Sequence, residues 1–158
     1  MRKQQVVGIG EWRCSNIESE TITTFSLSTC VGVTVYCPYR KVSGMLHILL
    51  PTPRKEEEAE KQPGRFATTG IPLLIREMTE IYGCRKSSLE VRLYGGASSG
   101  KRHEIFEVGS RNLEQAQAEL RKLNLVPKIA EVGGSISRTL EMNVKTGIVH
   151  MRTLPLSS

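Results

Sequence analysis

Two neighbouring segments constrain the fold more than any other part of the sequence. In Cys30-Val31-Gly32-Val33-Thr34-Val35-Tyr36 the valines alternate strictly, whereas Gly44-Met45-Leu46-His47-Ile48-Leu49-Leu50 is nearly all apolar. Strict alternation marks a strand with two unlike faces, and a short unbroken apolar run suits a strand covered on both faces. A turn-rich stretch, Cys37-Pro38-Tyr39-Arg40-Lys41-Val42-Ser43, separates them, so a buried antiparallel hairpin is the expected pairing. Two more strand-like pieces precede it: Val6, Val7 and Ile9, and the β-branched run Thr21-Ile22-Thr23-Thr24-Phe25-Ser26-Leu27.

Helical spacing begins only after residue 64. Ile71, Leu74, Ile75, Met78 and Tyr82 share one face, with Thr68 or Thr69 as cap, Pro72 tolerable only in the first turn, and Gly83 as the stop. Leu89, Val91 and Leu93 alternate into Gly95-Gly96. Asn112 with Gln115 resembles a capping box opening a second helix that carries Leu113, Ala116, Leu120 and Leu123 and ends at Asn124. Strand-like pieces close the chain around 129–132, 139–144 and 148–151. Strands dominate and two helices are added, which makes the chain α+β.

The charged stretch Arg54 to Gly64 reads as an exposed loop. A linker is rejected because the piece before it is too short to bury its own core. The 158 residues therefore suit one domain, with a core from about residue 6 to 153. Hydrophobic residues are 39% and charged residues 24%, which excludes collagen-like, mucin-like and wholly disordered chains. Aromatics are only 5%, so Val, Ile and Leu must fill the core.

Lys plus Arg outnumber Asp plus Glu by 22 to 16, giving a net charge of +6. The cations Arg13, Arg40, Lys41, Arg54, Arg65 and Arg138 are scattered and are read as solvated surface. A nucleic-acid platform would interleave them with aromatics, so that reading ranks last. No segment approaches the roughly 20 apolar residues of a membrane span, and the N-terminus has no apolar signal region, so the cytoplasm is the expected location. Cys14, Cys30, Cys37 and Cys84 contain no C-x-x-C, and a reducing compartment argues against disulfides. Together with His47, His103 and His150 they match no common zinc spacing. No metal or organic cofactor is expected.

The best local signal for chemistry is Cys30 with His47. A hairpin centred between Pro38 and Tyr39 sets these two directly opposite on one face, with Cβ atoms ~4.5–5.5 Å apart. A slip by one residue would place them on opposite faces. An imidazolium beside a thiol lowers its pKa, and the thiolate is a nucleophile suited to acyl transfer from amide, ester or thioester. Taken bare, the pair is weak evidence: a cysteine beside valines in a strand is usually core, and a histidine on an apolar strand is usually a satisfied buried side chain.

Several motifs stand in a recognisable order: Val7-Gly8-Ile9-Gly10-Glu11, Ser28-Thr29-Cys30-Val31-Gly32-Val33, Gly44-Met45-Leu46-His47-Ile48-Leu49-Leu50-Pro51, Tyr94-Gly95-Gly96-Ala97, Val108-Gly109-Ser110-Arg111-Asn112, Gly133-Gly134 and Thr146-Gly147. From about Val6 to Thr153 the chain resembles the CheD family of chemoreceptor glutamine deamidases. The resemblance implies hydrolysis of glutamine side chains to glutamate on the cytoplasmic helices of methyl-accepting chemotaxis receptors. Some members also cleave receptor methyl esters. It implies Cys30 as nucleophile, His47 as base, and Thr24, on the strand six positions before the cysteine, as the group orienting the imidazole. It also implies a fold of packed β-sheets flanked by helices, similar to the catalytic domain of cytotoxic necrotizing factor toxins. Ser43, Leu46 and Thr68 depart from the family's usual Gly, Asn and Asp.

The expected course is attack by Cys30 on the carboxamide, an oxyanion held by backbone N–H groups near Thr29 and Cys30, and a thioester that water hydrolyses. Ser28, Thr29, Gly95, Gly96 and Ser98, with Ser99, are candidate oxyanion or substrate contacts. The glycine pairs Gly95-Gly96 and Gly133-Gly134 read equally well as turns or close crossings. Cys14, Cys37 and Cys84 lack a matched histidine and are expected in core or surface positions. A second reading is a binding partner of the phosphatase CheC with little deamidase activity.

Overall fold

The structure, a computed structural model, describes residues 3–98 and 107–156. Ser99 and His103 lie outside the described residues.

Among the described residues nine strands form two sheets. They are β1 (Lys3–Val6), β2 (Trp12–Ser15), β3 (Glu20–Leu27), β4 (Val31–Cys37), β5 (Val42–Ile48), β6 (Glu90–Gly95), β7 (Lys128–Val132), β8 (Ile136–Asn143) and β9 (Val149–Pro155). One sheet has the order β1-β3-β8-β9, and the other β2-β5-β4-β6-β7. The pairs β1/β3 and β6/β7 are parallel and the rest antiparallel. The α-helices of the described residues are α1 (Glu56–Lys61), α2 (Ala67–Arg76) and α3 (Val108–Lys122). The α+β expectation of packed sheets flanked by helices holds. No helix among the described residues is long and apolar enough to cross a membrane.

Two apolar layers follow from the period-2 pattern of the central strands. Val31, Val33 and Val35 of β4 and Leu46 and Ile48 of β5 pack with Ile71, Leu74, Ile75 and Met78 of α2 and Ala116 and Leu120 of α3. The opposite face of the five-stranded sheet meets the four-stranded sheet. There Cys30, Met45 and Tyr94 join Val7, Ile22, Leu27, Leu140 and Met142. Gly32 lets the sheets approach: a Cβ there would lie 2.9 Å from Leu27 and 3.1 Å from Leu140. Ser43 spans the same gap with its hydroxyl on Val144 O at 2.9 Å.

Several boundaries differ from the sequence reading. Val7 and Ile9 lie beyond the end of β1. Residues 56–61 of the supposed loop are helical, with Glu56, Glu57 and Glu58 at the N-terminus and Lys61 in the last turn, charges that suit the helix dipole. Thr68 and Thr69 do not cap α2; its N-cap is Phe66, so Pro72 falls inside the helix, where it has no N–H to give the carbonyl four residues back. α2 runs on into a π-turn at Glu77–Ile81 and stops at Gly83, at φ 69°. α3 begins four residues before Asn112, so Asn112 is no cap. The cation Arg138 is not solvated surface: it is buried on β8 opposite Leu27, and its Nε and Nη1 have no hydrogen-bond partner among the described residues.

Candidate functional site

The hairpin forms, but in a register two residues from the one expected. Val31 pairs with Ile48 and Gly32 with His47. The reason is the turn. Cys37 and Val42 close the ladder, and Lys41 adopts φ 52° with its N–H on Pro38 O at 3.3 Å, which moves the centre past Tyr39. A slip of even length keeps every side chain on its face. Cys30 and His47 therefore both face the space between the sheets, with His47 diagonal to Cys30 across the Cβ-free Gly32.

Thr24 reaches His47 from the other sheet. Its hydroxyl donates to Val7 O at 2.6 Å and lies 2.7 Å from His47 Nδ1. A hydroxyl has one proton, and Val7 takes it, so the oxygen must accept from Nδ1–H. This fixes the tautomer: Nδ1 carries the proton and Nε2 is a bare base. The segment read as a first strand has a different task. Val7 N–H binds Thr23 O at 2.7 Å, while Gly10 N–H and Glu11 O take the carbonyl and amide of His47 at 2.8 and 3.1 Å. Residues 7–11 thus hold both Thr24 and the backbone of His47.

The three residues are graded in depth. Thr24 is 0% exposed, His47 2% and Cys30 7%, and the preceding Ser28 and Thr29 are half-buried. Burial governs their protonation. It pushes the Cys30 thiol up to about 11, against a smaller pull from its own backbone N–H, and it pushes His47 down to about 4. Both groups are neutral near pH 7. His47 Nε2 has no hydrogen-bond partner among the described residues, so no bond joins it to the Cys30 sulfur here. The expected thiolate–imidazolium pair is therefore corrected to a neutral thiol beside a neutral base, because desolvation disfavours both charges.

This has a measurable consequence. A histidine that ionises near 6.5 when unfolded and near 4 when folded leaves the unfolded chain holding more protons between those values. Stability falls as pH drops through that window. Lowering pH from 7 to 5 is expected to remove about 2 kcal/mol, read as a lower urea midpoint. His47→Gln should flatten that interval; an equally steep loss in the variant would assign it to other groups.

The loop before β4 is held by its carbonyls. Ala97 N–H donates to Ser28 O at 2.7 Å and Gly96 N–H to Cys30 O at 2.8 Å. Asn112 Nδ2 donates to Thr29 O at 2.9 Å and to Leu49 O at 3.0 Å. No peptide among the described residues is cis, and a trans peptide directs its C=O and N–H in opposite directions. Fixing the Ser28 and Thr29 carbonyls toward Ala97 and Asn112 therefore aims the N–H groups of Thr29 and Cys30 the other way. The local pattern of Asn112 is that of a cap and hides this role; only its place in the Val108–Asn112 motif signals it.

Gly95 and Gly96 brace this loop. A Cβ on Gly95, at φ 94°, would come within 2.3 Å of Cys30 O, and one on Gly96 within 2.5 Å of Leu113. Gly95→Ala is expected to cost about 3 kcal/mol in urea denaturation, from the clash and the positive φ together. Gly134→Ala, at φ 68° with nothing within 4 Å, should cost only about 1 kcal/mol, and equal losses would refute the close-approach explanation. Ser98 is exposed, with its N–H on Gly134 O at 2.9 Å. Cys14, Cys37 and Cys84 all sit in the other layer, between sheet and helices, and His150 is exposed on β9. Among the described residues no cluster of His, Cys, Asp and Glu is placed to hold a metal ion.

Residues 49–153 match the family described as CheD chemotactic sensory transduction. A relative from Syntrophotalea carbinolica is 37% identical over 149 residues, covering 92% of this chain and 91% of its own. The chain belongs to the CheD family. That relative is named "Probable chemoreceptor glutamine deamidase CheD", as is one from Pyrococcus horikoshii at 36% identity over 152 residues, covering 95% of this chain and 92% of the relative. Matches of this extent leave too few residues outside to exclude Thr24, Cys30 or His47, although the family profile itself begins just after His47. Among solved structures, the Bacillus licheniformis hypothetical protein YfiH superposes with a TM-score of 0.50 at 9% identity. It covers 85% of this chain, which spans 60% of that one, and this likeness concerns the fold alone.

Proposed function

We propose that this CheD-family chain hydrolyses glutamine side chains of methyl-accepting chemotaxis receptors to glutamate, with Cys30 as nucleophile, His47 as base and Thr24 as its orienting partner. The observation that carries the mechanism is the Thr24–His47 hydrogen bond, which leaves Nε2 unprotonated on the face that Cys30 shares. The names of the relatives support the substrate class.

The slender carboxamide of a receptor glutamine reaches Cys30 past Ser28 and Thr29. Nε2 removes the thiol proton as sulfur bonds to the carboxamide carbon. The N–H groups of Thr29 and Cys30 face the oxyanion; one such donor is worth ~2.7–4 kcal/mol elsewhere. The imidazolium then passes its proton to nitrogen, the C–N bond breaks, and ammonia leaves a thioester. Water gives a proton to Nε2 and hydroxide to the acyl carbon. The C–S bond breaks, sulfur regains the proton, and glutamate departs. On this reading the reaction runs on the cytoplasmic helices of the receptors.

The test is mass spectrometry of a receptor cytoplasmic fragment incubated with wild type, Cys30→Ala and His47→Ala. Amide-to-acid conversion by wild type alone supports the reading. Equal conversion by Cys30→Ala removes the thiol from the mechanism. No conversion by any form, with tight binding of CheC, would instead favour a chain that serves as a partner of that phosphatase.

A further inference from the structure

We infer that Asn112 is a positioning residue for this reaction: it aims the Cys30 N–H and ties the cysteine loop to the end of the strand that carries His47. The inference rests on the deamidase reading above and deepens it. Both protons of the Asn112 carboxamide nitrogen are committed, one to Thr29 O at 2.9 Å and one to Leu49 O at 3.0 Å. Thr29 O belongs to the peptide whose N–H is that of Cys30, so this bond sets the direction of the nucleophile's own amide. Leu49 follows His47 by two residues, beyond the end of β5. One NH2 group thus fixes the separation of the two backbones that bring thiol and base together.

The placement is costly in a way that a merely structural position has no reason to carry. Asn112 is 0% exposed inside a helix, where asparagine is a poor helix former. Its Oδ1 is buried with no hydrogen-bond partner among the described residues. The helix is brought within reach by Gly109, where a Cβ would lie 2.3 Å from Ala97 O. The same contact presses α3 against the Gly96–Ala97 segment that holds the other two carbonyls of the loop.

The experiment measures kcat and KM for deamidation of the receptor fragment, per folded molecule, in wild type, Asn112→Ala, Asn112→Gln and Leu120→Ala. Misplacement of reacting groups and loss of an aligned oxyanion donor predict a fall in kcat of about 10²-fold for Asn112→Ala with KM unchanged. Leu120→Ala, about two turns further along α3, should lower the melting temperature while leaving kcat near wild type. Asn112→Ala with wild-type kcat, or with a loss matched by Leu120→Ala, overturns the inference. Should Asn112→Ala fail to fold, Asn112→Gln decides: it keeps the amide on a longer arm. A tenfold or greater loss of kcat at unchanged KM supports the clamp, and wild-type kcat overturns it. A wild type that converts no amide, or a Cys30→Ala that converts as fast, defeats the deamidase reading and the inference with it. An active, cysteine-dependent wild type with an equally active Asn112→Ala defeats the clamp alone.

Discussion

Cys30→Ala is expected to lower the rate of glutamine deamidation by about 10⁴-fold or more, and His47→Ala by a comparable factor. The two groups act on one proton and one carbon, so their losses do not add. The double variant should be little slower than Cys30→Ala alone. The pH profile discriminates further. Burial keeps the free imidazole unprotonated until pH falls to about 4 and keeps the thiol protonated until about 11. A neutral base that removes the thiol proton during attack predicts kcat/KM that is flat from pH 8 down to pH 5 in the free enzyme. An acid limb near 6.5 would show an imidazole in contact with solvent and would refute the buried geometry. A double variant far slower than either single would show that thiol and imidazole serve separate steps.

The parts of this fold legible in the sequence are those where one physical signal dominates. The valines of β4 alternate because one face meets the helices and the other meets the second sheet, and period 2 reads that without reference to neighbours. The face shared by Cys30 and His47 survived a wrong register because an even slip conserves parity. What could not be read depends on long-range company. The register was set by Lys41 in a left-handed conformation, which no propensity rule assigns to lysine. The Val7–Glu11 segment looks like a strand because it is apolar, yet it pairs instead with Thr23, Thr24 and His47. Asn112 has the local chemistry of a cap, and only the arrival of Thr29 and Leu49 beside it turns it into a clamp. Protonation was also illegible. Spacing places a thiol near an imidazole but does not report their desolvation, and burial reversed the expectation of an ion pair. Arg138 is the same lesson for a cation, since charge alone reads as surface.

Thr24→Val is expected to slow the reaction through the imidazole and to lower stability as well. Valine has nearly the shape of threonine but offers Nδ1–H no acceptor and Val7 O no donor. Two buried polar groups are then orphaned, at about 1–3 kcal/mol each before relaxation, so the urea midpoint should fall. The larger effect is on the tautomer. With nothing to hold the proton on Nδ1, the ring can carry it on Nε2, the nitrogen that must be bare to accept from Cys30. Removing an orienting acceptor elsewhere costs up to ~10⁴-fold in kcat, and a neutral hydroxyl should be worth less than a carboxylate, about 10²-fold. Thr24→Ser keeps the hydroxyl and should stay within a few-fold of wild type. Nitrogen NMR of the imidazole separates orientation from packing: wild type and Thr24→Ser should show the proton on Nδ1, whereas Thr24→Val should show a mixture or a shift to Nε2. A Thr24→Val enzyme that keeps the Nδ1 proton and still loses activity would move the role of Thr24 from the tautomer to the packing between the sheets. One that keeps both would leave Thr24 with no part in the reaction.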